Sequence, residues 1–180
     1  MRNLGAALAG GLGQRRADDF YPTPEEAPTA LLRSEILGAF KRRFWEPACG
    51  DGAISRVLQK AGHTVVSTDL IDRGYGAGGV DFLATKEALS PHILTNPPFK
   101  LAEAFIRHAH TLGFESLSLL LKSQFWHAAG RLPLFRDYPP AVIAPLTWRL
   151  DFTGGGAPTM DCAWVVWGAG WAPCTTRYMP

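Results

Sequence analysis

The stretch Lys41–Leu70, "KRRFWEPACGDGAISRVLQKAGHTVVSTDL", decides the fold. "KRRFWEPACGDG" at Lys41–Gly52 reads as a short buried strand running into a glycine turn, "EPACGDG" at Glu46–Gly52. Glycine tolerates left-handed backbone and lets the chain approach a ligand or a neighbour closely. "AISRVLQKAG" then carries apolar residues at helical spacing and ends on glycine, a common helix close. "HTVVSTDL" is β-branched and strand-like. Strand, glycine turn, helix and strand form the repeating unit of a parallel sheet.

The alternation continues outward. Downstream come "HILTN" as a strand, "LAEAFIRHAHTLG" as a helix and "SLSLLLK" as a buried strand. "SQFWHAAGRLPLF" is expected to be a helix, and "AVIAPL" and "MDCAWVVWG" strands. No clear helix separates the last two, which predicts an antiparallel pair at one edge. Between the quoted stretch and "HILTN", "IDRGYGAGGV" reads as a loop and "DFLAT" as the start of a short edge strand. Upstream, Pro24 at a first helical position, followed by Glu25 and Glu26, opens a helix with an apolar stripe at Leu31, Leu32, Ile36, Leu37 and Phe40. The expectation is a Rossmann-like α/β domain: a mostly parallel sheet, helices on both faces and an antiparallel edge strand. Ligands bind such sheets beyond the carboxyl ends of the strands.

Composition narrows the field. The 180 residues are 47% hydrophobic, enough for one ordinary core. Residues 1–18 read as a flexible leader, and 19–180 as a single domain without a separate target-recognition unit. A formal charge of +2 neither demands nor excludes nucleic acid. No apolar run approaches a membrane span. Cys49, Cys162 and Cys174 lack metal-ligand spacing, so no metal and a reducing cytoplasm are expected.

Gly50-Asp51-Gly52 alone fits a ligand-binding turn or a plain tight turn equally well. Asp69 lies about 20 residues on, where a carboxylate can accept both hydrogen bonds of a ribose diol. Together they point to an adenosine-containing cofactor. Glu46 stands where a nicotinamide enzyme would cradle pyrophosphate, and an acid there suits a cationic ligand such as S-adenosylmethionine.

"TNPPFK" at Thr95–Lys100 ends the third strand. The exocyclic amine of adenine is a poor nucleophile, because its lone pair is delocalised into the ring. Two acceptors on its N–H bonds would localise that pair: the Asn96 side-chain oxygen and the Pro97 carbonyl. Pro98 restricts Pro97 to extended geometry, and Phe99 offers a face on which an extruded base can stack. A strand ending in a proline-rich turn is the bland alternative.

In this order the motifs resemble those of the S-adenosylmethionine-dependent adenine-N6 DNA methyltransferases, nearest to the small phage and prophage type. "NPPF" at Asn96–Phe99 is similar to that family's N-P-P-F/Y signature, and "EPACGDG" to its cofactor signature. The resemblance covers roughly residues 19–168. It implies a class I methyltransferase fold, S-adenosylmethionine as cofactor, DNA (alternatively RNA) as partner and a cytoplasmic setting in a bacterial host. It further implies that Phe20, Tyr21 and Thr23 of "DFYPTP" approach the methionine part. Glu46, Pro47, Ala48 and Gly50 would form the turn, Asp69 and Leu70 would sit at the ribose, and Asp81 and Phe82 would contact the adenine ring. Asn96 would border both cofactor and target. An inactive cofactor-binding protein that binds nucleic acid is the rival of a different class, against which the intact "NPPF" speaks.

Weaker features are Phe125 and Trp126, which fit a base pocket or the core equally, and Lys41, Arg42, Arg43, Arg131 and Arg136, candidates for phosphate contacts although a solvated face is the better reading for any one of them. Trp164 and Trp167 read as core. Base reading would fall to loop residues such as "FTGGGAPTM", expected to be flexible and therefore poorly selective.

Overall fold

A computed structural model of the chain describes residues 20–38, 42–169, 172 and 175–176. The expected leader, 1–18, lies outside the described residues, as do Phe40, Lys41 and Cys174.

The helices are α1 (Glu26–Arg33), α2 (Ala53–Lys60), α3 (Ala102–Leu112) and α4 (Leu132–Asp137). The strands are β1 (Arg43–Glu46), β2 (Thr64–Ser67), β3 (His92–Thr95), β4 (Ser116–Lys122), β5 (Val142–Pro145), β6 (Cys162–Gly168) and β7 (Thr175–Thr176). They form one sheet in the order β2-β1-β3-β4-β6-β5-β7. β2, β1, β3 and β4 run parallel, while β6 is antiparallel to both β4 and β5. The antiparallel pair β5–β6 is therefore present. Its reversed member lies inside the sheet, with β5 and the two-residue β7 outside it.

Alternation along each strand sorts the core onto the two faces. Phe44, Leu94, Leu120, Trp164 and Val166 pack on the face covered by α1 and α2. Trp45, Ile93, Leu119, Val165 and Trp167 pack against α3 and α4. Burial on both faces explains why β4 reads as an unbroken apolar run. Trp45, Trp164 and Trp167 are core, and each indole N–H is satisfied: Trp45 on Thr68 Oγ1 at 2.9 Å, Trp164 on the Ala27 carbonyl at 2.8 Å, Trp167 on the Tyr138 carbonyl at 3.0 Å.

Three local expectations are corrected. "DFLAT" is not a strand. Phe82–Ala84 is a 3-10 turn whose start is capped by the Asp81 carboxylate, which accepts from the Leu83 N–H. "SQFWHAAGRLPLF" is not one helix but two 3-10 turns followed by α4. Pro133 is tolerated in the first turn of α4, where its missing N–H costs nothing, whereas inside a longer helix it would clash with the carbonyl of Ala129. The first helix starts at Glu26, not Pro24, and stops at Arg33. Glu35 there takes a φ of 58°, a left-handed conformation that ends the helix, and Ile36 and Leu37 reach the core from the turn. Among the described residues no helix is long and apolar enough to cross a membrane.

Candidate active site

The carboxyl ends of β1, β2 and β3 open onto a cleft of about 460 Å³, a size suited to a small organic ligand. β1 and β3 are neighbours although the chain visits β2 between them, so this is the point where the strand order reverses. The cleft is lined from the chain before α1 by Phe20, Tyr21 and Thr23. From the turn after β1 come Glu46, Pro47, Ala48 and Gly50; from beyond β2, Asp69, Leu70, Asp81 and Phe82; from beyond β3, Asn96, Pro97, Pro98 and Phe99. The structure thus brings all the residues singled out in the four sequence segments to one cavity.

The turn is built for close approach. Gly50 has a φ of 56°, and a Cβ there would stand 2.5 Å from the Phe20 ring. Gly52, before α2, has a φ of 86°, and a Cβ would meet the Tyr75 ring at 2.4 Å. Both positions exclude side chains by backbone conformation and by space.

Asp69 is 9% exposed, and one carboxylate oxygen accepts from the Gly50 N–H at 2.8 Å, the other from the Ile71 N–H at 2.9 Å. A carboxylate has about four acceptor positions, so capacity for a diol remains. The loop after Asp69 is pinned rather than loose: the Asp69 N–H donates to the Ala77 carbonyl at 3.0 Å, and the Val80 N–H donates back to Asp69 at 2.9 Å. Asp81 spends one oxygen on its cap, at 2.9 Å from the Leu83 nitrogen. The Phe82 ring is core, 4.6 Å from Phe105 and 5.2 Å from Trp45 between centroids, so its main chain is what it can offer a ligand.

Glu46 is 1% exposed, and its carboxyl accepts the Ser55 hydroxyl, which in turn sits 2.6 Å from Ser67 Oγ. Burial pushes its pKa up to about 8, against hydrogen bonds from Ser55 and with added repulsion from Asp51 and Asp69. The sequence suggests a standing anion. The structure instead gives an acid that holds its proton near neutrality and would ionise when a cation arrives. Burial likewise pushes the Cys49 and Cys162 thiols up to about 12, which makes both inert.

At the third strand's end, Asn96 Nδ2 donates to Thr23 Oγ1 at 3.0 Å. Asn96 Oδ1 is buried and has no hydrogen-bond partner among the described residues. Pro97 and Pro98 bring no N–H groups, and the Pro98 carbonyl accepts from the Leu101 N–H at 2.8 Å, closing the 3-10 turn that leads into α3. The Phe99 ring carries the Lys122 ammonium 3.9 Å above its centroid and meets Phe152 edge-on at 6.0 Å.

Sequence reasoning missed Lys122 and Arg73. Lys122 is the last residue of β4, and its place at the carboxyl edge was the available signal. Arg73 lies over the Phe20 ring at 4.1 Å, within a glycine loop that gives no periodic signal. Phe125 proves to be core and Trp126 half-buried beside it, both packed on Phe135. Arg43 starts β1 at the opposite end of the sheet, and Arg42 just before it meets His92 at 3.2 Å. Arg131 is engaged by the Phe125 carbonyl at 2.9 Å. Among the described residues no cluster of His, Cys, Asp and Glu is placed to hold a metal.

No protein-family model matches the chain, and no curated protein matches its sequence. Solved structures do. A Listeria monocytogenes protein assigned to the class I S-adenosylmethionine-dependent methyltransferases has a TM-score of 0.62 at 12% identity, over 90% of this chain and 66% of its own. A Pyrococcus horikoshii protein assigned as an RNA methyltransferase has a TM-score of 0.64 at 13% identity, over 82% of this chain and 85% of its own. Magnesium protoporphyrin IX methyltransferase of Synechocystis PCC 6803, solved with bound S-adenosylmethionine, has a TM-score of 0.56 at 14% identity, over 79% of this chain and 77% of its own. At such identities the likeness speaks for the fold: this chain has the Rossmann-like fold of these methyltransferases.

Proposed function

We propose that this domain transfers a methyl group from S-adenosylmethionine to the N6 amine of adenine in DNA. The observation that carries the reading is Asn96 Oδ1, a buried acceptor that finds no partner among the described residues, on a side chain that lines a cleft of a size to fit a nucleoside cofactor. An unsatisfied buried acceptor is costly and calls for a donor from the ligand. An amine supplies one.

The cleft suits the cofactor on its own geometry. Gly50 keeps the backbone bare beside Phe20, where a Cβ would have no room, Asp69 retains acceptor capacity, and Glu46 can take up the charge of an ammonium. When bound, the cofactor supplies a methyl group activated by a sulfonium. The chain's own residues then have positioning work. Asn96 Oδ1 and the Pro97 carbonyl would hold the two amine hydrogens. Phe99 would carry the ring, its own ring steadied by Lys122 and Phe152. Residues 19–180 act as one catalytic unit in this reading, and the cytoplasm is its setting.

RNA adenine is the second reading, favoured by the Pyrococcus neighbour. One assay tests both: labelled cofactor is offered with duplex DNA, single-stranded DNA and RNA, and the methylated nucleoside is identified. N6-methyldeoxyadenosine is expected. Label in another nucleoside, or in none, overturns the reading.

A further inference from the structure

Resting on the methyl-transfer reading, we propose that Thr23 is a positioning residue. Its hydroxyl sets which end of the Asn96 amide faces the target amine, and the cofactor's carboxylate holds Thr23 in that role.

The two ends of an amide are opposite in kind: the oxygen accepts and the nitrogen donates. Asn96 can hold an amine's N–H only through Oδ1. Turned by half a rotation, it would aim two N–H donors at an amine that is itself a donor. Backbone geometry does not choose between these states, because they have nearly the same shape. The chooser is the group on the far side of the amide, and that group is Thr23 Oγ1, 3.0 Å from Nδ2.

A threonine hydroxyl both accepts and donates. With its own proton turned toward Asn96, it would donate to Oδ1 and stabilise the useless orientation. With that proton engaged elsewhere, it can only accept. It then takes Nδ2 and leaves Oδ1 for another donor; the Nδ2–Thr23 bond and an Oδ1 without a partner among the described residues are what the structure shows. Thr23 lines the same cleft. The cofactor's reactive methyl sits on the sulfur that joins its ribose and amino-acid ends. Thr23, Asp69 and Asn96 line one cleft, so with the ribose at Asp69 and the methyl at Asn96 the amino-acid end would turn toward Thr23. Its carboxylate can only accept, so it would take the Thr23 proton and lock the relay. Cofactor occupancy thereby orients the group that receives the target.

Thr23 is well anchored for this task. The extended chain around it enters α1, where the Ala27 N–H closes on the Pro24 carbonyl at 3.0 Å. The Ala27 carbonyl in turn receives the Trp164 indole N–H at 2.8 Å. Two residues earlier, Tyr21 meets Phe152 edge-on at 6.5 Å, the same Phe152 that steadies Phe99.

The test compares Thr23→Val, Thr23→Ser, Asn96→Asp and Thr23→Val/Asn96→Asp with the unaltered protein. Valine keeps the shape and cannot accept. An aspartate offers an oxygen whichever way it turns. Loss of one orienting hydrogen bond should lower kcat about ten- to hundred-fold in Thr23→Val, while Thr23→Ser restores most of it. The dissociation constant of S-adenosylhomocysteine should rise about ten- to hundred-fold in Thr23→Val through the lost bond to its carboxylate, so kcat is compared at saturating cofactor. In the Asn96→Asp background the valine should cost less than about three-fold, since orientation no longer matters. A second readout needs no turnover. The side-chain NH2 resonances of Asn96, identified by their loss in Asn96→Asp, should exchange more slowly with S-adenosylhomocysteine added, and this slowing should vanish in Thr23→Val. Full activity in Thr23→Val, an equal cost in both backgrounds, or NH2 exchange indifferent to Thr23 would each overturn the proposal. If the unaltered protein methylates no amine, the methyl-transfer reading fails instead, and the exchange measurement still reports on the Thr23–Asn96 bond.

Discussion

Replacing Glu46 by glutamine should make the fold more stable at pH 8 and the cofactor weaker, a trade that can be sized from the structure. The Glu46 carboxyl is held at about 8, against an ordinary 4.5. A raised pKa means that the folded protein keeps a proton the unfolded chain has released. The stability tied to that proton is full below about 4.5 and is lost as pH rises through about 8. At pH 7 the folded state must take up the proton against a gap of some 2.5 pH units, at about 1.4 kcal/mol each, a cost of about 3–4 kcal/mol. Glutamine has the same shape and no charge to lose, and its oxygen can still accept the Ser55 hydroxyl. Its extra N–H needs a partner, which trims the gain.

A net stabilisation of about 1–3 kcal/mol at pH 8 corresponds to a rise in Tm of roughly 2–10 °C for a domain of this size. At pH 4.5 the two proteins should melt within about 2 °C of each other, because both side chains are then neutral. Thermal melts from pH 4.5 to 8 read this directly. Calorimetry supplies the functional half: S-adenosylmethionine binding at pH 7 should release a proton from the wild type, seen as a dependence of the heat on buffer ionisation, and none from Glu46→Gln. A pH-independent difference in Tm, or a glutamine variant less stable at pH 8, would refute the view of Glu46 as a neutral buried acid awaiting a cation.

Two further substitutions address the ends of the cleft. Asp69→Ala should weaken S-adenosylhomocysteine by about 1.5–3 kcal/mol in calorimetry, through the lost charged acceptor, and should also lower Tm because Gly50 and Ile71 lose their carboxylate; an unchanged dissociation constant excludes the ribose role. Phe99→Ala should cost about 1–3 kcal/mol in kcat/KM for nucleic acid and spare cofactor affinity, whereas Phe99→Tyr keeps the face beneath Lys122 and should retain most activity.

What the sequence made legible followed the strength of the local signal. The βαβ unit over Lys41–Leu70 was readable because glycines, β-branched runs and an amphipathic helix all agree there. The residues that line the cleft were readable as a group because most stand at strand ends, which the topology gathers on one edge. The misreadings have physical causes. "DFLAT" has strand-like composition, but a single carboxylate cap at Asp81 turns it into a 3-10 turn. "SQFWHAAGRLPLF" has helical spacing, yet Gly130 and Pro133 break it. The charge on Glu46 could not be read at all, since a type of residue says nothing of its burial. Nor could Lys122, which acquires meaning only when β4 lands beside β3.

The connection between β5 and β6 decides how selectively a target could be read. Its sequence, with three consecutive glycines, suggests a floppy segment that loses each contact to ordering. The structure removes that reason. Asp151 accepts from the Thr153 N–H at 2.9 Å, the Thr153 hydroxyl at 2.6 Å, the Gly154 N–H at 3.0 Å and the Gly156 N–H at 2.6 Å. These bonds hold its carboxyl below the usual range. Leu150 and Met160 bridge the base of the loop, and Phe152 roots it against Phe99. The ordering entropy is already spent. A different limit takes its place. From Thr153 to Met160 no side chain is charged, and the only hydroxyls are Thr153, already bonded to Asp151, and Thr159. Discrimination of one base pair takes a bidentate contact worth about 1–3 kcal/mol, usually from Arg, Asn or Gln, and the loop has none to give. Arg149 beside it is paired with Asp161 at 3.0 Å. Methylation should therefore spread over many adenine contexts with at most one or two preferred neighbours, and activity should fall steeply with salt as phosphate contacts weaken. Mapping of methylated positions on a long mixed-sequence DNA at limiting enzyme reads this. A fixed motif of four or more bases would mean that bases are read by a surface other than this loop.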